Sequence, residues 1–409
     1  MSALHQLYQR GKRSLNRALD RTIDAADAIL MGKANGPARF ARFAGNAAWL
    51  LRDVPRLPAY RLAGENGTIV FVGSDHELLE ARDLFFDREQ VEPESIGRTP
   101  IWNLTQAAQR WFAEGVALVI CELSRIHPWR PKAALALTVP IWIRQIVPIP
   151  DRVEDLIAGR QLHSMRHRIT RAERNGFGYR FTRERADFDH FYHEMYAPFI
   201  QARHNQLAMP TPYDDMWRRE YSLGGLILAT RRGEPVAGAI CYMHDGACRT
   251  VEGGVLHADP QLYQQGINVL LDWYSIQWGH AQGAHVFDMG ASRAWRSNRV
   301  FQYKSRWRTK VVRFSKIYSE WTLVAQQPSA AWLDRLNAIG FISEIDGKFY
   351  GVVIDSPVRP VAQADLDREL DTVRDQGLDG LAIVCAGKPP RLISKTTTHD
   401  STHLRTGSD

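Results

Sequence analysis

Apolar residues recur at helical spacing over the first 34 positions: Leu4, Leu7, Tyr8, Leu15, Leu19, Ile23, Ala26, Ile29 and Leu30. Asn35-Gly36-Pro37 then acts as a stop signal. From Gly67 the period changes. Residues 68–74 read as a strand, 76–87 and 105–114 as helices, 116–121 as a buried strand, and 135–147 as a further apolar run. Residues 160–174 predict a helix that Asn175-Gly176 closes. A strand (177–182), a long helix (187–204) and a short one (213–221) follow. Three strands then come in tight succession at 226–230, 236–243 and 248–255, joined by turns with glycine at hairpin positions. Asp259-Pro260 opens a helix to Gly279, and residues 284–288 form a strand that enters a Gly/Ser/Arg-rich loop. A helix carrying Tyr303, Lys304 and Trp307 comes next, then a strand at 310–317. Beyond it the pattern gives a helix (330–339), strands (341–344 and 349–354), a helix (364–376) and a strand (381–385).

These alternations predict an α/β (α+β) protein of mixed sheets flanked by helices. The expected organisation is a helical extension over 1–60, an α/β domain over 61–159 and a second domain over 160–320. A segment over 321–386 is expected to pack back on the first α/β domain, with a disordered tail over 387–409, where almost nothing is apolar.

Charge changes this picture in one place. The net charge is +7, and the first sixty residues hold ten Lys/Arg against four Asp/Glu. The basicity is therefore an appendage on a nearly neutral body, which argues against specific DNA binding. A basic amphipathic helix can lie on an anionic membrane surface or cover a neighbouring domain. The longest apolar run, 133–150, is broken by Pro140, Arg144 and Pro148, and is too interrupted to span a bilayer. With no secretory signal and no CxxC among Cys121, Cys241, Cys248 and Cys385, a reducing, cytoplasmic setting is expected, with peripheral contact at the inner face of the membrane through residues 1–34.

Residues 284–307 concentrate chemistry: an acid (Asp288), several cations and one lysine at the carboxyl end of a strand, where open α/β sheets hold ligands. Ser292, Arg293 and Arg296 are the expected grip on a substrate phosphate or carboxylate. Glu252, on the third strand of the meander, is the candidate general base for an acceptor amine. Asp288 joins it in the catalytic set, as the acid that orients the loop. The histidines lack metal-ligand spacing: His163 and His167 are i,i+4 without an intervening glutamate, and His190 and His193 have no third ligand. No metal and no tightly bound cofactor are expected.

Three motifs in order resemble the GNAT acyltransferase superfamily over about residues 160–320, and more narrowly its Fem-type and envelope-polysaccharide-associated branch. They are the helix Arg166-His-Arg-Ile-Thr-Arg-Ala-Glu-Arg-Asn-Gly176, the hairpin Gly233-Glu-Pro-Val-Ala-Gly238, and Phe287-Asp-Met-Gly290 followed by Tyr303-Lys304 and Trp307. The resemblance implies two GNAT-like domains in tandem. It also implies transfer of an acyl or aminoacyl group to an amine of a small-molecule, envelope or polysaccharide precursor. The superfamily holds acyl-CoA pyrophosphate at a helix N-terminus behind Gln/Arg-x-x-Gly-x-Gly/Ala. The matching stretch here is Tyr263-Gln264-Gln265-Gly266-Ile267-Asn268, so Gln264, Gln265, Gly266, Asn268 and Tyr303 are the expected donor-binding residues. Tyr263 and Asn268 depart from the pattern, which leaves the donor open among CoA, a carrier protein and an aminoacyl-tRNA. In Fem-type relatives the lysine of the Tyr-Lys motif is implicated in transfer, and Lys304 occupies that position. Near a strand end it would stabilise the oxyanion of a tetrahedral intermediate, or a substrate phosphate. Direct attack by the amine needs no covalent enzyme intermediate, in keeping with a chain that has no Ser/His/Asp or Cys/His signature. The alternative is a non-catalytic GNAT-like module that binds a partner or an anionic membrane surface through residues 1–60.

Overall fold

The computed structural model describes residues 22, 25–26, 40, 43–45 and 47–48, and then 57–394 except 66, 87–90, 125–128, 130, 132, 205–209, 220 and 315–318. The amphipathic helix expected over 1–34, with its membrane contact, lies almost wholly outside the described residues, as does 395–409. The chain divides into two compact units, one built on Trp142–Ser292 and Tyr303–Ile317, the other on Trp49–Ile141, Arg293–Gln302 and Tyr318–Asp409.

The second of these units opens the described chain. It contains β1 (Leu57–Gly64), β2 (Gly67–Val72), β3 (Glu94–Thr99), β4 (Leu118–Ser124) and β5 (Leu135–Pro140). Every residue of β4 is buried, as in a central strand; its apolar run Leu118–Cys121 is followed by the polar Glu122 and Ser124, and Glu122 accepts from Ser74 and Ser319. β2 and β4 run parallel. Between them the chain passes through the helix Asp75–Phe85, β3 and the helix Leu104–Ala113. Ser74 starts the first helix by accepting a hydrogen bond from the Glu77 amide.

The other unit carries β6 (Trp142–Pro148), β7 (Phe177–Thr182), β8 (Gly225–Arg231), β9 (Glu234–His244), β10 (Ala247–Val255), β11 (Val286–Arg293) and β12 (Lys310–Arg313). They form one mixed sheet in the order β12-β6-β11-β10-β9-β8-β7. β7 to β10 make an antiparallel meander, as expected, and β10 and β11 are parallel. On the helix His163–Arg174 the residues Met165, Ile169 and Ala172 turn into the core, while the exposed positions include Arg168, Arg171 and Arg174. The helix Ile267–Ala281, which connects β10 to β11, has ten buried residues, eight of them in the same apolar core.

The chain then returns to the second unit with β13 (Ser319–Ala325), β14 (Ile342–Ile345), β15 (Lys348–Asp355), β16 (Gly380–Cys385) and β17 (Arg391–Ser394). β13 inserts antiparallel between β4 and β5, completing the sheet β3-β1-β2-β4-β13-β5. A separate sheet runs β14-β15-β16-β17. Trp295, fully buried in this unit, stacks on Trp321 at 5.4 Å between ring centroids and meets Phe341 edge-on.

Three expectations change. β11 continues to Arg293, five residues beyond the strand end the sequence suggests, so the supposed loop at Met289–Arg293 is largely strand. Residues 387–394 are not a structureless tail. Arg391–Ser394 pairs antiparallel with β16, a backbone contact that polar composition does not report. The helix expected over 187–204 contains a π-helical stretch, Phe191–Tyr196.

That stretch packs close to β10. A Cβ on Gly254 would lie 2.6 Å from the Met195 carbonyl carbon and the Tyr196 nitrogen, both backbone atoms that cannot swing away. Gly254→Ala is therefore expected to lower stability by about 1–3 kcal/mol, the usual cost of overpacking. An unchanged denaturant midpoint would contradict this packing.

Candidate active site

β10 and β11 pair at only three positions: Ala247↔Val286, Cys248↔Phe287 and Arg249↔Asp288. Both strands continue past that register, β10 to Val255 and β11 to Arg293. They part there and leave a gap with two backbone edges facing it. β10 remains paired with β9 as far as Val255, across a register shift between Val251 and Gly253. Such a bulge re-aims the side chains beside it.

Asp288 stands at the last paired position and is 4% exposed. Its Oδ2 receives Arg144 Nη1 at 3.0 Å and Arg249 Nε at 3.3 Å. Its Oδ1 accepts the Gly290 amide at 2.9 Å. Two cations and a backbone amide thus hold Asp288, which organises the strands at the parting point.

Lys304 lies on the helix Arg299–Ser305, which Asn298 opens by accepting from the amides of Val300 and Phe301. Its Nζ donates to the Ala291 carbonyl at 2.6 Å, on the part of β11 beyond the parting. The surroundings are polar and satisfied. Gln145 of β6 donates to Ser305 Oγ and Thr309 Oγ1 and accepts from Ser292 Oγ at 2.8 Å, all of them buried. Burial lowers the Lys304 ammonium to about 8; the carboxylates of Asp272 and Asp288 oppose that shift and Arg144 adds to it.

Asp272 is a residue the sequence reading missed. It is the only acid on the helix Ile267–Ala281. Its Oδ2 accepts from Tyr303 Oη and from Trp307 Nε1, the latter at 3.1 Å. Burial pushes its carboxyl up to about 6, against the hydrogen bonds and the Lys304 charge. The signal was present in the sequence: a lone carboxylate inside the apolar run Val269-Leu-Leu-Asp-Trp-Tyr274 must find buried donors.

Glu252 sits on β10 past the parting, half-buried, and accepts from Thr211 Oγ1 at 3.2 Å. The Tyr196 hydroxyl accepts the Thr211 amide at 3.1 Å. Burial, with Glu252 alongside, raises Tyr196 to about 12, so it stays protonated.

Gly266 caps the helix Ile267–Ala281 with φ +86°. Gln264 and Gln265 are exposed beside it and Asn268 is half-buried. The exposed Arg168 brings its Cδ to 4.0 Å from the position a Gly266 Cβ would take. Tyr303, read as a donor contact, spends its hydroxyl on Asp272.

The expected anion grip is dispersed. Ser292 is 1% exposed and bonded to Gln145. Arg293 is buried against Glu77, at 2.9 Å, and Glu80. Arg296 pairs with Glu369 at 2.6 Å and with Gln376. Arg293 and Arg296 themselves belong to the second unit, and both guanidiniums are committed to carboxylates within it, where a buried cation needs a partner. Burial also raises the Glu77 carboxyl to about 7, with Arg293 pulling the other way. Among the described residues, no three His, Cys, Asp or Glu side chains converge to hold a metal.

Residues 159–305 match the family model described as an acetyltransferase (GNAT) domain. That segment, with the mixed sheet and its parted parallel strands, is a GNAT-superfamily domain with the acyltransferase fold. No curated protein matches the chain. Solved structures similar to it include the C-terminal domain of a putative lysylphosphatidylglycerol synthetase from Agrobacterium fabrum, at 13% identity, 78% of this chain, 96% of that one and TM-score 0.34. L-PGS from Bacillus licheniformis is 13% identical over 77% of this chain and 95% of that one, with TM-score 0.35. FemX is 12% identical over 73% and 95%, with TM-score 0.35.

The Asp272 environment has a pH signature. A carboxyl raised from 3.8 to about 6 binds its proton more tightly in the folded state. The stability it contributes is present below about pH 4 and is lost as pH rises through about 6. Asp272→Asn lacks this titration. The stability of the native protein relative to that variant should therefore fall between pH 4 and 6 and level off above. Urea titrations across that range that give a constant difference would refute the assignment.

Proposed function

We propose that the protein transfers an acyl or aminoacyl group from an activated donor to an amine, with the reaction in the gap between β10 and β11. The observation that carries this reading is the parting of two parallel strands after three pairs, with Glu252 on one strand and Lys304 bonded to the other. The Fem-like Tyr-Lys motif of the sequence supports the aminoacyl branch.

In the proposed reaction the amine nitrogen attacks the thioester or ester carbonyl of the donor. Negative charge grows on that oxygen as the tetrahedral intermediate forms. The Lys304 ammonium, desolvated and held near β11, stabilises that charge. Glu252 accepts the proton the amine loses, with Thr211 holding one of its carboxylate oxygens. Collapse breaks the bond to the thiolate or alkoxide, which leaves with the proton that Glu252 took from the amine, so the carboxylate is restored. The donor's phosphates are placed at the Gly266 helix N-terminus, where peptide dipoles and Arg168 favour an anion. CoA, a carrier protein and tRNA all present such phosphates. The amine acceptor belongs to an envelope or polysaccharide precursor, with contact to the membrane surface through residues 1–34.

The test is transfer by the full chain to a panel of amines from acyl-CoAs, acyl carrier proteins and charged tRNAs, with products read by mass spectrometry. Lys304→Met should lower kcat by on the order of a hundredfold to a thousandfold, as loss of one oxyanion donor does elsewhere. The cation is lost as its proton leaves, so the Lys304-dependent part of the rate should fall as pH rises through about 8. No transfer from any of the three donors, or full activity of Lys304→Met, would overturn the proposal.

A further inference from the structure

The helix His163–Arg174 turns Met165, Ile169 and Ala172 into the core, so its opposite face is outward. At helical spacing that face carries His163, His167, Arg171 and Arg174, all exposed, over about 16 Å of helical rise. Arg168 lies on its flank, with its Cδ 4.0 Å from the position a Gly266 Cβ would take. The exposed Arg160 extends the row ahead of the first turn. Among the described residues Arg160, Arg168, Arg171 and Arg174 form no ion pair, and the first turn of the helix holds no acid. Helix stability does not ask for this row. The helix dipole favours Arg171 and Arg174 in the last turn but opposes Arg160 ahead of the first, and like charges on neighbouring positions repel. An unneutralised row of this kind attracts an extended anion.

The extent of the row says which anion fits. A small donor such as CoA brings its phosphates to Gly266 and Arg168, but it does not also cover the outward face, which is the outer surface of a helix and not the wall of a cleft. A nucleic acid carries its phosphates on past both ends of a contact. Here the row is bounded. The exposed Glu154 and Asp155 precede it, on the segment whose Ala158 carbonyl accepts from Arg166 at 3.1 Å, and the exposed Glu173 flanks its far end. The row also holds no Phe, Tyr or Trp on which a base could stack. Fixed guanidiniums closed off by acids fit the short acidic face of a small protein, met carboxylate to guanidinium. We propose that the acyl donor is delivered by an acidic carrier protein that docks on this face, with the phosphate of its phosphopantetheine arm at Gly266 and Arg168. The docking follows from the exposed row alone; the fate of the acyl group rests on the transfer reading.

The experiment is surface plasmon resonance on the immobilised full-length protein, with a bacterial holo acyl carrier protein, its apo form and uncharged tRNA as analytes. Mass spectrometry of transfer from the acylated carrier follows. Saturable binding of the holo carrier is expected, weaker for the apo form that lacks the phosphate arm, and falling steeply as salt is raised. Arg171→Glu with Arg174→Glu should weaken carrier binding about tenfold or more, and Arg171→Gln with Arg174→Gln, which adds no acid to the helix end, about three- to tenfold. Both variants should keep a cooperative thermal transition. No saturable binding of either carrier form, undiminished binding by the charge-reversed variant, or tighter binding of tRNA than of the holo carrier would overturn the proposal. Carrier binding without transfer from the acylated carrier would sink the transfer reading and leave the docking in place. Transfer from acyl-CoA without carrier binding would do the reverse.

Discussion

One buried carboxylate decides where the gap between β10 and β11 opens. Asp288 ties β11 to β10 through Arg249 and to β6 through Arg144, at the last position where β10 and β11 pair. Removing a partner from such a group leaves an uncompensated buried charge, at about 3–5 kcal/mol. The three strands are therefore held in register on one side of Asp288 whatever happens on the other. The Gly290 amide, bonded back to the same carboxylate, turns the backbone just past it. That glycine has φ +75°, a conformation a side chain would strain. Parting of the strands follows from a fixed clamp with a sharp local bend beyond it, and the polar edges it exposes are available because no further ladder can form.

Behind the clamp, burial acts in opposite directions on two groups. It pushes Asp272 up to about 6 and Lys304 down to about 8. Each stabilises the other's ion, and burial wins over that attraction in both. The consequence is a window between about pH 6 and 8 in which the carboxylate and the ammonium are both ionised. Below it the acid is neutral and Tyr303 and Trp307 lose a charged acceptor. Above it the lysine is neutral and no cation stands beside β11. The neutral amide of Gln145, with Ser292, Ser305 and Thr309, fills the rest of this interior without adding charge, which keeps the window from being shifted further.

The sequence made the meander, the helix Ile267–Ala281 and the order of elements legible, because apolar period and glycine turns report them directly. It placed Lys304 and Glu252 on the right elements. It misplaced Ser292, Arg293 and Arg296 for one reason. Clustered polar residues look like a solvated loop, yet here Ser292 and Arg293 at the end of β11 reach buried partners far away in sequence, Gln145 and Glu77, and Arg296 beyond it pairs with the partly exposed Glu369. Long-range ion pairing leaves no local period to read. Asp272 was passed over for the converse reason: a single acid does not disturb an apolar pattern, and its donors Tyr303 and Trp307 lie over thirty residues on. β17 escaped because a backbone ladder can form on a polar sequence.

The two units solve the problem of buried polarity differently, and that difference bears on what each can bind. In the GNAT domain the interior near the gap holds ionised side chains, each neutralised by an opposite charge or a hydrogen bond, so small changes in proton binding alter its chemistry. Around the cavity beside the turn after β13 the lining side chains are uncharged, and the buried Trp332 Nε1–H has no acceptor. A native fold tolerates few such groups. The charged site can stabilise a change of charge during a reaction, because its dipoles and ions are already oriented. The uncharged one has no means to do so.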